Sequence, residues 1–376
     1  MTTRTSVCAL DCPDCCGLLV NIDNGRATRL RGNPDHPVTQ GFLCAKVTRY
    51  LDRQYSNDRL MFPQKRIGPK GPGARFERIS WQEAVDTITA RLTAITAQHG
   101  SEAILPYSYM GTMGLLNATG MDRRFFHRLG ASRLDRTICS STGGAALTAS
   151  QGSRYSLDTE QFANARVIVA WAVNIHATNV HLWPFIVEAR RRGAQFIVID
   201  PVRTRTAALA DRHLALHPGS DLALALGMIH VILRDGLHDA DFVSRFTHGF
   251  DELRTLAAQY PPERAAQLTG IAASDIEWLA SLYATSQPTA IKLGYGVQRA
   301  EFGGAAVRAI AALPVLVGAW RHAAGGLQLS TSQAFQLNRA AVERPDLQPH
   351  PTRVVNMSQL GHALTALQDP PVQSLI

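Results

Sequence analysis

A chain of 376 residues with 45% hydrophobic and 18% charged side chains and a mean hydropathy of -0.06 is a globular protein of two or three domains, which excludes a disordered chain. No apolar run reaches the about 18 residues that a membrane span needs, and Met1 stands only seven residues before Cys8, so no targeting segment is expected and the cytoplasm is the expected compartment. The net charge of +8 and pI near 9.4 come from scattered basic residues with no dense run interleaved with aromatics, which argues against nucleic acid and leaves a modest attraction for a phosphate-bearing ligand.

The first fifty residues hold five of the six cysteines, Cys8, Cys12, Cys15, Cys16 and Cys44. Three residues separate Cys8 from Cys12, three separate Cys12 from Cys16, and Cys44 returns after twenty-seven. A close triplet of thiolates with one distant partner suits the corners of a cubane iron-sulfur cluster, with Cys15 as an alternative to Cys16. A structural zinc site usually arrives as two separated pairs, and here the second pair is missing. A disulfide framework is not expected without a signal peptide.

Residues 17–31 alternate around Asn24-Gly25, the dipeptide favoured for a two-residue hairpin turn. The hairpin carries the chain from the triplet through the turn-rich Gly32-Asn33-Pro34-Asp35-His36-Pro37 to Gly41-Phe42-Leu43-Cys44-Ala45-Lys46. Lys46, two residues past the last thiol, is either a bridge between a cluster and an anionic cofactor or a surface lysine.

Taken together, Cys-Ala-Leu-Asp-Cys-Pro-Asp-Cys-Cys-Gly, the hairpin, Gly-Asn-Pro-Asp-His-Pro and Gly-Phe-Leu-Cys-Ala-Lys resemble the amino terminus of molybdopterin oxidoreductases of the dimethyl sulfoxide reductase family. The resemblance implies a 4Fe-4S cluster on Cys8, Cys12, Cys16 and Cys44, with Lys46 between cluster and pterin. Cys15 stands where that family usually has a non-ligand, so Cys16 is preferred.

Further on, Ser80 and Glu83 form a capping box that opens a helix over 81–99, whose stripe of Ala84, Val85, Ile88, Leu92 and Ile95 reads as core. A short strand at Ala103-Ile104-Leu105 and a glycine-rich segment, Tyr109-Met110-Gly111-Thr112-Met113-Gly114, follow. Cys139 lies in the polar, glycine-rich Arg136-Thr137-Ile138-Cys139-Ser140-Ser141-Thr142-Gly143-Gly144. A lone cysteine is commonly a small buried hydrophobe. At this position the resemblance implies the protein ligand to molybdenum, a soft thiolate beside dithiolene sulfurs, with Ser140 as the fallback.

Strand 166–171, a helix from Thr178 to Arg192 ended by Gly193, and strand 195–200 make a βαβ unit of a parallel sheet. Its first turn, Ala172-Val173-Asn174-Ile175-His176, lacks the glycine fingerprint of nicotinamide cofactors. The resemblance implies instead a molybdopterin guanine dinucleotide, with Asn174 facing phosphates, Asp200 the ribose and Asp221 the guanine. Ala172 departs from the family's usual Gly, and His181 is assigned to core packing. Helices are expected over 222–234 and 251–259, then a strand over 289–293 with a glycine turn from which Gly296 and Gln298 are carried over as pterin contacts, and an apolar helix from Gly303 to Leu316. Ser140, in place of a His, and the loop 325–330 argue against formate or nitrate as substrate.

The expected architecture is α/β: a small iron-sulfur β domain at 1–60, an incomplete α/β domain at 61–135 and 330–376, and a nucleotide-binding α/β domain at 136–329, the last two doubly wound and interleaved. Residues 371–376 read as a buried strand that stops, so the chain is expected to be the amino-terminal part of an enzyme whose β-barrel domain is missing. The expected cofactors are a 4Fe-4S cluster and molybdenum bis(molybdopterin guanine dinucleotide), and the partners are a small-molecule redox substrate and an electron-transfer protein or subunit. Two alternatives are a molybdenum-free electron-transfer subunit resembling the large subunit of NADH dehydrogenases and a zinc-stapled binding module.

Overall fold

The computed structural model describes all of residues 1–376 except 110–113, 115, 117–119, 333, 334 and 336. Most of the glycine-rich segment at 109–114 therefore lies outside the described residues.

The amino terminus is a three-stranded antiparallel sheet, β1 (Thr2–Val7), β2 (Gly17–Asp23) and β3 (Arg26–Gly32). The β2–β3 turn falls on Asn24 and Gly25, with φ of 46° and 76°, the left-handed geometry a two-residue turn requires. The strand β1 was not expected; its pairing with β2 aligns Val7 with Gly17, which brings the two ends of the cysteine triplet together. The main-chain N–H of Cys8 accordingly donates to the carbonyl of Cys16 at 2.9 Å.

A hairpin of β4 (Gln64–Ile67) and β5 (Arg75–Arg78) precedes the helix Trp81–His99, and Ser80 caps that helix by accepting from the N–H of Glu83. The expected burial of its apolar stripe is only partial: Val85 and Ile88 are exposed, and Ala84, Leu92 and Ile95 are half-buried. Next come β6 (Ile104–Leu105) and β7 (Arg133–Asp135).

The centre of the molecule is a five-stranded parallel sheet of β8 (Val167–Trp171), β9 (Gln195–Ile199), β10 (Arg212–Leu214), β11 (Thr289–Leu293) and β12 (Gly326–Gln328) in the order β10-β9-β8-β11-β12. It is covered on both faces. Val167, Val169 and Trp171 of β8 point into one core with the helices Asp221–Arg234, Ala273–Thr285 and Gly303–Leu316, while Ile168 and Ala170 point into a second with the helix Trp183–Arg191. Near-continuous apolar runs in β8, β9 and β11 are what such double coverage selects. The βα connection is broken where one helix was expected: a turn at Ile175–Thr178 and a 3-10 segment at Val180–Leu182 come before the helix Trp183–Arg191, whose start is set by Pro184.

The last strands return to the earlier segment, β13 (Val354–Asn356) pairing with β7 and β14 (Ser374–Leu375) with β6, both parallel. The sheet order reverses between β8 and β11, and at the carboxyl ends of these strands Gly294 donates its N–H to the Trp171 carbonyl at 2.8 Å. A Cβ on Gly294 would run into the Ala172 carbonyl. Gly294→Ala is therefore expected to lower unfolding free energy by roughly 1–3 kcal/mol in urea titrations. An unchanged midpoint would contradict this close approach.

Candidate functional site

Two groups of residues meet above the carboxyl ends of the central strands. The first is the cysteine site. Cys16 is 3% exposed and packs with Leu18 and Val47, flanked by Cys8, Cys44 and Leu43. Burial pushes its thiol up to about 12, and the neighbouring charges of Cys8, Asp14, Cys12 and Cys44 add to the effect. Burial also pushes the Cys12 thiol up to about 12. Burial thus disfavours the thiolates of Cys12 and Cys16 until cationic charge enters their surroundings, and Cys8 and Cys44 pack beside Cys16. Cys15 differs: it is exposed, adopts a φ of 43°, and turns its Sγ to the Cys12 carbonyl at 3.5 Å. Among the described residues, no three or more His, Cys, Asp or Glu side chains are arranged to hold a single metal ion. A cluster, by contrast, takes each thiolate on a different iron, so this donor set fits an iron-sulfur cluster. Lys46 stands exposed on the short helix Ala45–Thr48.

Three residues that the sequence reading either missed or misassigned lock this site to the central sheet. Asp14 sits inside the triplet and is 3% exposed. Its Oδ1 accepts from Asn179 Nδ2, and its Oδ2 lies 2.7 Å from His181 Nδ1. The other nitrogen of His181 lies 3.0 Å from the Phe42 carbonyl and 3.6 Å from Cys16 Sγ. Assigning His181 to core packing needs correction: it is 1% exposed, but its contacts are polar and join the cysteine site to the segment after β8. A carboxylate within a run of thiols was the signal available in the sequence. Lys292, in a strand buried on both faces, was a second. It donates from Nζ to Gln328 Oε1 at 2.9 Å, and burial pushes its ammonium down to about 8, with Asp14 opposing.

The second group stands at the carboxyl ends of the strands where the sheet order reverses. Asn174 follows β8 and accepts from Thr206 Oγ1 at 2.8 Å. Asp200 ends β9 and accepts from the N–H of Val202 at 2.8 Å, while its own carbonyl accepts from His213. Asp221 opens the helix Asp221–Arg234, is 7% exposed, and accepts from Trp171 Nε1 at 2.8 Å. Burial raises its carboxyl, against the lowering effect of the Trp171 N–H, and the charge of Asp200 adds a smaller upward push. Burial and the Arg205 guanidinium hold His176 below its ordinary range. Ala172 adopts a φ of 51°, the left-handed region that a glycine would occupy without cost, and Gly296 leaves room above it.

Cys139 precedes the helix Ser141–Gln151, with Ser140 at its N-cap. Gln298 is 6% exposed, donating to the Cys139 carbonyl at 2.6 Å and accepting from the N–H of Gly143. Both ends of that amide are engaged by main chain, so Gln298 braces the Cys139 segment. Tyr295, another residue the sequence reading missed, is raised by burial, with the charges of Cys139 and Asp11 adding.

The fold is thus a parallel α/β sheet with a cysteine-bearing amino-terminal sheet set against the carboxyl ends of its strands. The sequence matches the Molybdopterin oxidoreductase Fe4S4 domain over residues 1–56 and Molybdopterin oxidoreductase over residues 59–369, and the chain belongs to the molybdopterin oxidoreductase family. It is 44% identical to the Probable oxidoreductase YoaE of Bacillus subtilis over 98% of this chain and 54% of that protein. It is 32% identical to Formate dehydrogenase H of Escherichia coli over 82% of this chain and 44% of that one. The structure of acetylene hydratase from Pelobacter acetylenicus superposes with a TM-score of 0.72 at 29% identity, covering 84% of this chain and 43% of the other. The chain spans about half the length of the curated relatives it matches. The two family matches support a molybdenum-pterin cofactor and a 4Fe-4S cluster and favour neither the zinc module nor the molybdenum-free subunit. No helix among the described residues is long and apolar enough to cross a membrane.

The depressed Lys292 ammonium has a measurable consequence. Between pH 8 and pH 10.5 the unfolded chain holds the proton and the folded one does not, so this group makes stability rise with pH in that window. The unfolding free energy of Lys292→Met minus that of the unsubstituted protein should therefore fall by roughly 3 kcal/mol from pH 8 to pH 10.5 in chemical denaturation. A difference that does not change with pH would contradict a buried ammonium.

Proposed function

We propose that this chain forms the cofactor-holding part of a molybdopterin-dependent oxidoreductase that exchanges two electrons with a small-molecule substrate and passes them singly through a 4Fe-4S cluster to a redox partner. The supporting observation is the packing of Cys8, Cys16 and Cys44 together, with the loop after β12 reaching the Pro13 carbonyl through Thr331 and the turn after β11 reaching the Cys139 carbonyl through Gln298. On this reading those four cysteines ligate the cluster and Cys139 ligates molybdenum. When bound, the metal and its pterins supply the two-electron chemistry and the cluster supplies the one-electron path.

The remaining work belongs to the protein. Gln298 holds the Cys139 main chain from one side, and the small Gly143 and Gly144 let the following helix approach Gln298 and Arg154 closely. Asn174, Asp200, Asp221 and Gly296 form the crevice for a guanine dinucleotide extension of the pterin, the carboxylates suited to ribose hydroxyls and base N–H groups and the nearby Arg205 to phosphate. Lys46 lies two residues after the last cluster ligand and is the residue assigned to the gap between cluster and pterin. The domain reading, 1–60 for the cluster, 136–329 for the dinucleotide, and 61–135 with 330–376 as a third unit, is supported by the pairing of β13 with β7 and of β14 with β6.

Cys16→Ser should lose most of the protein-bound iron and its visible absorption near about 400 nm, while Cys15→Ser retains both. Iron retained by Cys16→Ser and lost from Cys15→Ser would reverse the ligand assignment.

A further inference from the structure

Resting on the reading that Cys16 ligates the cluster, we propose that His181 is a positioning residue that donates an N–H···S hydrogen bond to the Cys16 sulfur and thereby raises the cluster's reduction potential.

The hydrogen on Nε2 follows from its partners. Both ring nitrogens face oxygens, Nε2 the Phe42 carbonyl at 3.0 Å and Nδ1 the Asp14 carboxylate at 2.7 Å, so one proton lies between Nδ1 and Asp14, shared by that pair, and a second is carried on Nε2, since the carbonyl can only accept. Cys16 Sγ lies 3.6 Å from the same nitrogen, in reach of a shared, three-centre contact. Asp14 holds the opposite nitrogen at 2.7 Å, and Asn179 holds Asp14 from the far side, so the ring cannot swing away without stripping a buried carboxylate of its partners. Phe42 meets the imidazole in a tilted contact, with centroids 4.8 Å apart and planes at 53°, which limits the ring's rotation as well. The ring is 1% exposed, so water does not compete for the sulfur. Phe42 lies two residues before Cys44, so one imidazole touches the segments of two ligand cysteines.

When the cluster takes one electron, part of the added negative charge falls on the Cys16 sulfur, and a donor aimed at that sulfur stabilises the reduced form more than the oxidised one. No proton needs to move. Removing the donor should make the cluster harder to reduce.

The test is a dithionite titration of the full-length protein, followed by electron paramagnetic resonance, with iron content measured on every sample. His181→Phe, which keeps a ring without N–H, is expected to move the midpoint to a more negative potential, and His181→Gln, which keeps an amide N–H, to return part of that shift. Because the Phe variant leaves Asp14 short of a partner and can fail to fold, a second measurement uses the unsubstituted protein: pulsed resonance of the reduced cluster after labelling histidine with 15N, expected to detect coupling to one imidazole nitrogen. An iron-loaded His181→Phe protein with an unmoved potential, or a cluster with no histidine coupling, overturns the proposal. Unsubstituted protein without iron overturns the cluster assignment itself, and with it the proposal.

Discussion

A carboxylate taken out of water must be given donors to replace its hydration, and Asp14 is supplied with them from another part of the chain. Asn179 and His181, which lie between β8 and the helix Trp183–Arg191, close on the two oxygens of a residue set among the cysteines. Breaking one partner of such a buried set costs about 3–5 kcal/mol, far more than a surface ion pair. The small amino-terminal sheet has little core of its own, chiefly Cys16, Leu18 and Val47, so its orientation on the central sheet depends on this polar contact. Lys292 and Gln328 extend the same seam along β11 and β12, and Gln328 in turn donates to the Leu157 carbonyl and Thr159.

On the proposed function the seam matters because electron transfer between cofactors depends on their separation. Thr331, just past β12, donates to the Pro13 carbonyl at 3.4 Å, and Tyr295 senses the charges of both Asp11 and Cys139. The loops after β11 and β12 therefore meet the cysteine loop on one side and the Cys139 segment on the other. Close packing of Gly294 against Ala172 lets the carboxyl ends of β8 and β11 come together beneath them. The crevice, the thiol site and Cys139 are thus held by one rigid sheet.

Much of this was legible in the chain itself. The Asn24-Gly25 turn, the capping box at Ser80 and Glu83, and the apolar runs of β8 and β9 each carry a local signal, and each forms where that signal places it. Contacts that depend on distant partners were not legible. The polar role of His181 requires Asp14, 167 residues away, and Gln298 reads as a ligand contact until its amide is found engaged by Cys139 and Gly143. The stripe on the helix Trp81–His99 has the periodicity of a core face, yet periodicity reports only that a helix is amphipathic and not what covers it. Ala172 in a left-handed conformation is a further case, since an alanine gives no local cue for positive φ.

Iron, acid-labile sulfide and molybdenum measured together on anaerobically purified full-length protein test most directly whether one sheet holds both centres. The expected result is about four iron and four sulfide for each molybdenum, in a single species. Iron without molybdenum, or neither metal in correctly folded protein, would contradict the joint site built around Asp14 and the crevice between β8 and β11.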